Sequence, residues 1–440
     1  TDISTNGVSP FGSLLNALYR EQLSQVVRLQ SLSAEAAAKL IEHTLAGEAD
    51  PALVKAICEI AEGNPFYVQQ ITQAMQREGR LVHAQGRWRL PPGSALQVPT
   101  ELRDLLRERV QRLGPTVETA LTAAAVVGRE FRFNVLRPIT ELSDGDLFDA
   151  LDAALAAHLL EETETGYRFQ HSLIRHALYD VLSRRRRAWL HTRTAEAIEA
   201  TYAHRPDGVT PHVEALAFHY DLSDRRDRAL PYFLQAADKA IGLFALEIAY
   251  NYLERALILM DEIGVDDPAQ RWSILEQAAT LGKVLADTNR AVAHYEQALA
   301  LPPTEAWQPE PIDRMRLHRA LARTLITAGR LAEAEQHLQE AMEIVVDTIP
   351  ASQDYANLLY DVSLWHWHQD EYQPAFDVAQ RSLLVAEQLD DVTARAQAYE
   401  MLALACHSLG EWQQGLSFEQ QRSTLVGPNL DVTEAFDAHL

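Results

Sequence analysis

Few residues in this 440-residue sequence have the types and spacing needed to bind a nucleotide phosphate. A P-loop requires GxxxxGK followed by Ser or Thr, and the sequence contains no such run. Its Gly-Lys pair, Gly282-Lys283, lies inside a helical pattern with no glycine-rich turn before it. The run LILMDE at 257–262 ends in two acidic residues, as a magnesium-binding strand does, but it overlaps another helical pattern. We therefore predict no catalytic residue and no ATPase activity in this chain alone.

Histidines occur in two patterns that could suggest a metal site. His212 and His219 are seven residues apart and could share a helical face, but no third ligand is evident. His366 and His368 in the run WHWH fall on different faces of a helix, so one helix cannot direct both at one ion. Packing of these aromatic rings in the core and at its rim is the alternative. We predict no metal site and no cofactor bound by this chain alone.

The charge distribution disfavours nucleic acid as a partner. The chain has 62 acidic and 39 basic residues, a formal net charge of −23. Its one strong basic run, Arg184–Arg187, either contacts phosphate or begins a solvated helix, and the acidic total favours the second interpretation. A helix predicted at 144–157 would repel DNA because of four acidic residues, which are Asp144, Asp146, Asp149 and Asp152.

Length and apolar content define the general class of protein. A chain of 440 residues is too long for one core and predicts two to four domains. It has no apolar run of about 18 residues, so we predict no membrane span. Cys58 and Cys406 are too far apart to suggest a disulfide framework and suit a reducing, cytoplasmic location. We expect the sequence to be a fragment of a longer protein.

The C-terminal half repeats one pattern of small residues. Each copy has a small residue, a residue four later that is usually larger, and a second small residue three after that, which places all three on one helical face. The leading positions 249, 291, 334, 375 and 415 are 40 to 43 residues apart. The pattern predicts helix pairs whose close crossings are formed by small residues. The small residues of the clearest copies are Ala249, Ala256, Ala291, Ala298, Ala334, Ala341 and Ala375.

Each of three copies follows a predicted break at Gly329, Asp370 or Gly410, with an amphipathic run before it. The unit is therefore a helix, a tight turn and a second helix, which resembles the tetratricopeptide repeat (TPR). The usual TPR unit is about 34 residues, so these copies are long. Unrelated amphipathic helices are the alternative interpretation.

The N-terminal half predicts helices interrupted by two hairpins. A short helix at 13–21 and a strand-like segment at 26–29 come first. Helix starts follow at Ser33, Asp50-Pro51 and Asn64-Pro65. Runs at 81–90 and 159–170 predict hairpins that turn at Gln85-Gly86 and Thr165-Gly166, and the second hairpin follows three helices, as in a winged helix.

The predicted fold is mainly α, a helical lid domain and a winged helix followed by a TPR-like α-α superhelix. The predicted domains are 1–98 (lid domain with a hairpin), 99–205 (winged-helix-like domain and linker helices) and 206–440 (about five helix pairs).

Two local motifs, together with the repeats, point to a family. GNPF at 63–66 lies between two helices, and YRFQHSLIRHAL at 167–178 follows the second hairpin. In this order they resemble the C-terminal part of the signal-transduction ATPases with numerous domains (the STAND class), particularly large bacterial LuxR-type and cyclase-associated regulators. The resemblance covers nearly the whole chain, but the P-loop domain of that family is absent from it.

The resemblance implies roles for three residues. In such proteins a Gly-x-Pro turn packs beside the adenine, which corresponds to Gly63 and Pro65. A histidine after the wing contacts the phosphate in the closed, ADP-bound state, which corresponds to His171. Related branches have Met-His-Asp there, whereas this chain has Gln170-His171-Ser172. Without a ligand, the same residues would be a helix cap and a packed histidine.

The implied function is regulatory. The repeats would bind a protein partner or a small-molecule inducer and couple it to an upstream P-loop domain that holds ATP or ADP and Mg²⁺. The alternative is a stand-alone TPR scaffold for protein interactions, with no nucleotide coupling.

Overall fold

The computed structural model describes residues 31–84, 86–91, 99–305, 307–348 and 352–425. The helix predicted at 13–21, the strand predicted at 26–29 and the turn residue Gln85 lie outside these residues. The chain forms two compact units, and the division between them falls between Ala229 and Leu230 in the sequence.

The first unit opens with three helices and a small sheet: α1 (Ala34–Leu45), β1 (Glu48–Ala49), α2 (Pro51–Ala61), α3 (Pro65–Arg77), β2 (Val82–Ala84) and β3 (Arg87–Arg89). The predicted N-caps are confirmed, since side-chain oxygens of Ser33, Asp50 and Asn64 accept hydrogen bonds from the first turns of α1, α2 and α3. Strands β2 and β3 form the predicted hairpin. The parallel pairing of β1 with β3 was not predicted, because a two-residue strand has no alternation to detect.

A second helix-and-hairpin group follows: α4 (Thr100–Gln111), α5 (Pro115–Val127), β4 (Glu130–Phe131), α6 (Phe133–Leu136), α7 (Asp144–Ala156), β5 (Leu160–Thr163) and β6 (Gly166–Phe169). Strands β5 and β6 form the predicted hairpin, and β4 pairs with the other edge of β6. The small-residue helix α5 is largely buried, in agreement with its sequence. Whether this group is a winged helix remains a prediction.

The first unit ends with α8 (Ser172–Asp180), α9 (Arg184–Tyr202) and α10 (Val213–Asp221). A buried chain of hydrogen bonds joins them. The hydroxyl of Tyr179 lies 2.9 Å from Nε2 of His191, and Nδ1 of His191 lies 2.9 Å from Nδ1 of His219. His219 in turn hydrogen-bonds to the carbonyl of Val127, which ties α10 to α5.

The second unit consists, over its described residues, of ten successive helices. They are α11 (Ala229–Gly242), α12 (Leu246–Ile263), α13 (Pro268–Val284), α14 (Thr288–Leu299), α15 (Pro311–Thr327), α16 (Leu331–Thr348), α17 (Gln353–His368), α18 (Tyr372–Gln388), α19 (Val392–Leu409) and α20 (Trp412–Leu425). The predicted breaks at Gly329, Asp370 and Gly410 are confirmed, and each has a positive φ, of 74°, 62° and 83°. The predicted fold class, mainly α with TPR-like superhelical repeats, is confirmed.

The division into two compact units falls after Ala229, whereas the sequence predicts that the repeat domain starts at residue 206. The division into three domains at 98 and 205 remains a prediction. Among the described helices, none combines the length and the apolar character needed to cross a bilayer.

Candidate functional site

The turn between α2 and α3 has a backbone that only glycine accommodates at one position. Glu62 and Gly63 both have positive φ, of 51° and 71°. A Cβ on Gly63 would lie 2.7 Å from the carbonyl oxygen of Leu32, whose N–H donates a 2.8 Å hydrogen bond to the carbonyl of Gly63. Pro65 then opens α3, where its missing N–H has no consequence. Local structure thus accounts for Gly63 and Pro65.

The same turn contacts His171, which is more than 100 residues away in sequence. Glu62 connects them, because its Oε1 accepts a 3.3 Å hydrogen bond from the N–H of Ser172, the first residue of α8. Its Oε2 lies 3.6 Å from Nδ1 of His171. The ring of Tyr67 packs edge-on against that of His171, with 5.2 Å between the ring centroids. We call Glu62, Gly63, Pro65, Arg129 and His171 the turn-histidine cluster.

Positive groups surround the carboxylate of Glu62. Nη2 of Arg129 lies 3.2 Å from its Oε1, and the carboxylate also faces the positive end of α8. Burial lowers the pKa of His171; Glu62 opposes that change, whereas Arg109 and Arg129 add to it. His171 is therefore a neutral imidazole at pH 7. The anion that the cluster holds is the carboxylate of Glu62.

Sequence reasoning selected Gly63, Pro65 and His171, and the structure places Gly63 and Pro65 in a turn whose neighbours Glu62 and Tyr67 contact His171. It missed Glu62 and Arg129, which make the polar contacts. Glu62 is next to the turn motif, so its position was a usable signal. Arg129 follows α5 in a segment with no recognisable motif, and its role depends on the fold alone.

The predicted repeat-packing positions lie in the second unit, on α12, α14, α16 and α18. All seven alanines are fully buried: Ala249, Ala256, Ala291, Ala298, Ala334, Ala341 and Ala375. Packing at the crossing of α13 and α14 is close, since a Cβ on Gly282 would lie 3.3 Å from the Cβ of Ala291. Gly282 therefore has a packing role, and Gly282-Lys283 is no phosphate-binding turn.

Four charged side chains from three alternate helices of the second unit interact with one another. Arg319 and Arg323 of α15 each approach the buried carboxylate of Asp361 on α17, with 3.5 Å between the nearest nitrogen and oxygen atoms. Burial lowers the pKa of Lys283 on α13, and Arg323 and Arg319 lower it further while Asp361 raises it. We call these four residues the cross-helix cluster. It contains three cationic side chains and one carboxylate.

The other histidine patterns have structural roles. His219 pairs with His191, whereas the ring of His212 packs on Tyr202, so the two do not meet. In the WHWH run, His366 contacts Glu371, with 2.7 Å between Nδ1 and Oε2. The indole N–H groups of that run donate to two other helices, Trp365 to the carbonyl of Leu331 and Trp367 to the hydroxyl of Ser408.

The basic run Arg184–Arg187 and the acidic pair Asp261–Glu262 also have structural roles or lie at the surface. Arg184, Arg185 and Arg186 are exposed at the start of α9, and Arg187 donates to the carbonyls of Tyr179 and Leu182. Asp261 and Glu262 pair with nearby arginines, with 2.5 Å and 3.0 Å between the charged atoms. A magnesium-binding role for this pair is not needed to explain them.

Comparison with known proteins identifies the repeats. The tetratricopeptide repeat model matches residues 313–388, which span the helix pairs α15–α16 and α17–α18. An uncharacterized protein of Rhizobium meliloti (strain 1021) is 28% identical over 258 residues, covering 57% of this chain and 24% of that protein. The chain therefore spans about a quarter of the length of this curated relative.

Two solved structures are distantly similar. BtubC from P. vanneervenii is 18% identical, with a TM-score of 0.40 over 52% of this chain and 90% of that one. A STAND protein with a tetratricopeptide repeat sensor from Pyrococcus horikoshii is 14% identical, with a TM-score of 0.31 over 91% of this chain and 55% of that one. The match of the repeat model, and not these distant structures, shows that residues 313–388 of the second unit are tetratricopeptide repeats, which are protein-interaction or regulatory elements.

Proposed function

We propose that this chain is the regulatory part of a STAND-type nucleotide switch. The repeats bind a protein partner or inducer, and the first unit responds to a nucleotide held by a P-loop domain of the same natural protein. The observation that supports this most is the turn-histidine cluster. Two motifs selected for nucleotide contact, more than 100 residues apart, meet around the single carboxylate of Glu62.

The cluster suits an exchange between two anions. The carboxylate of Glu62 contacts the N-terminal end of α8 and the guanidinium of Arg129. These two groups are also the ones that would attract a phosphate. A phosphate entering this position would displace the Glu62 carboxylate or share its partners. Its negative charge would raise the pKa of His171, which could then act as a charged hydrogen-bond donor. The two arrangements would differ in the contacts between α2, α3 and α8.

Such an exchange supplies coupling only if the partner distinguishes the two arrangements. A ligand shifts an equilibrium by its difference in affinity for the two states, so the partner must bind one of them more tightly. We propose that the cross-helix cluster contributes to this binding by contacting an acidic side chain or a terminal carboxylate of the partner. Lys283, Arg319 and Arg323 would provide the attraction.

The test is the nucleotide retained by the natural protein that contains this chain. We expect wild type to co-purify with ADP and His171→Ala to lose most of it, measured by chromatography of the nucleotide released on denaturation. His176→Ala is the matched control, because His176 lies on α8, the helix that His171 immediately precedes, and is also half-buried. Equal ADP content in wild type and His171→Ala would reject the coupling.

A scaffold without nucleotide coupling is the second candidate, and the match of the repeat model to 313–388 favours it independently. In that case the natural protein would retain no nucleotide, and partner binding would be unaffected by His171→Ala. Partner binding that changes with ADP in wild type but not in His171→Ala would reject the scaffold interpretation.

A further inference from the structure

Three potential metal ligands meet between the two helices of one repeat. His318 lies on α15, and His337 and Glu340 lie three residues apart on α16, so they share a helical face. Nδ1 of His318 is 3.1 Å from Nδ1 of His337 and 3.1 Å from Oε2 of Glu340. One ligand atom from each of the three side chains lies within 4.8 Å of the other two.

Two of the three separations are close to those in the coordination sphere of a small ion. In a tetrahedral site with bonds of about 2.0–2.1 Å, neighbouring ligand atoms are about 3.3 Å apart. The two 3.1 Å distances are close to that value, so an ion would require movements of a few tenths of an ångström. The third separation, between His337 and Glu340, is at most 4.8 Å, and the Glu340 side chain, which is 43% exposed, can rotate to adjust it.

The chemistry of the donors is also suitable. A metal binds neutral imidazole, and burial lowers the pKa of both His318 and His337, that of His318 to about 4. The carboxylates of Glu296 and Glu333 act electrostatically on His337, and the guanidinium of Arg314 acts on His318. Two imidazoles and one carboxylate are a donor set that Zn²⁺ uses when it keeps a fourth position for water.

The buried pair His191–His219 shows that facing imidazoles alone do not indicate a metal. Its nitrogens are equally close, at 2.9 Å, but its ring atoms are used by Tyr179 and the carbonyl of Val127, and no carboxylate completes a triad there. Among the described residues, His318, His337 and Glu340 form the group of three that could hold an ion.

We propose that His318, His337 and Glu340 bind a divalent transition-metal ion of the Zn²⁺ type, with water as the fourth ligand. The sequence predicted no metal site, because the ligands belong to two helices and His318 and His337 are 19 residues apart. The ion would join α15 to α16 within the matched repeat region. This proposal does not depend on nucleotide coupling.

The direct test is titration of the purified, metal-free chain with ZnCl₂ by calorimetry, repeated with CoCl₂ while recording visible absorption. We expect one ion per chain, with the intense bands of four-coordinate Co²⁺. His337→Gln and Glu340→Gln should weaken binding at least about tenfold. His368→Ala, which removes an exposed histidine of α17, should bind like wild type.

Thermal unfolding provides a second measurement. Zn²⁺ should raise the melting temperature of wild type and of His368→Ala, but not of His337→Gln. Folding of each variant is checked by circular dichroism, and both ligand variants retain the buried His318. Absence of Zn²⁺ binding to wild type, or equal affinity in His337→Gln, would overturn the proposal.

Discussion

A glycine in each unit shows how differently the two are built. Gly63 has a positive φ, and a Cβ there would meet the carbonyl of Leu32 at 2.7 Å. This contact belongs to one particular turn. Gly282 is helical, and its close neighbour is the Cβ of Ala291 at 3.3 Å. That contact belongs to a series, since buried alanines recur on each second helix. The first unit depends on single contacts between distant segments, and the second on one contact type used repeatedly.

This difference helps to separate residues with a binding role from residues that only pack the fold. In the second unit, the residues outside the repeated pattern stand out: the cross-helix cluster, and the triad of His318, His337 and Glu340. In the first unit the polar contacts do not follow a repeated pattern, and the turn-histidine cluster is one of several. Stability and ligand response should follow this division.

The largest loss of stability is expected in the cross-helix cluster, which does not belong to the repeated alanine packing of the second unit. Asp361→Ala leaves Arg319 and Arg323, which are about three-quarters buried, without the carboxylate between them. We expect a loss of about 3–5 kcal/mol in the free energy of unfolding, measured by urea denaturation. Asp354→Ala on the same helix removes one of two partners of Arg316, which is 52% exposed and also pairs with Asp313, and should cost about 1 kcal/mol or less. Equal losses would mean that the cluster is solvated like a surface pair.

The individual turn of the first unit should be the next most sensitive. Gly63→Ala adds a methyl at positive φ and against the carbonyl of Leu32, so we expect a cost of about 3 kcal/mol. Gly79→Ala is the matched control, because Gly79 also has positive φ but nothing within 4 Å of its Cβ position. Its cost should be about 1 kcal/mol. Denaturation curves that coincide for the two variants would contradict the close approach at Gly63.

Repeated packing should show a smaller effect per site. Ala334 is fully buried on α16, and Ala334→Leu should overpack that crossing and cost about 2 kcal/mol. Ala332→Leu on the same helix is exposed and should change stability by less than about 0.5 kcal/mol. A melting curve of Ala334→Leu that matches wild type would show that this alanine does not form a close crossing.

The smallest effect is expected from the buried histidine chain of the first unit. Burial, with a contribution from His191, lowers the pKa of His219 to about 3, whereas its ordinary value is 6.5. Below pH 6.5 the unfolded chain takes up a proton that folded His219 does not, so acid destabilises the fold. His219→Gln should reduce the stability lost between pH 7 and 5.5 by about 1 kcal/mol, measured by urea denaturation at each pH. An unchanged pH dependence would show that His219 is not kept neutral by the fold.

Much of the fold could be predicted because its signals are local. Caps at Ser33, Asp50 and Asn64 act within one helical turn, and the spacing of the alanines follows from the helical period. Strands β1 and β4 escaped because each has two residues and depends on a partner far along the chain. At the candidate sites, motifs located Gly63, Pro65 and His171. Glu62, Arg129 and the triad around His318 required tertiary structure, since no sequence spacing encodes which helices face each other.

Hydrogen exchange of the natural protein with and without ADP tests the central claim most directly, because it reports on each segment separately. Coupling predicts that ADP slows amide exchange at 62–67 and 170–176 by about tenfold or more, and that His171→Ala abolishes this protection. Slowed exchange elsewhere in the protein would verify that ADP is bound. If ADP binds but exchange in these two segments is unchanged, the first unit does not respond to the nucleotide and the proposed coupling is wrong.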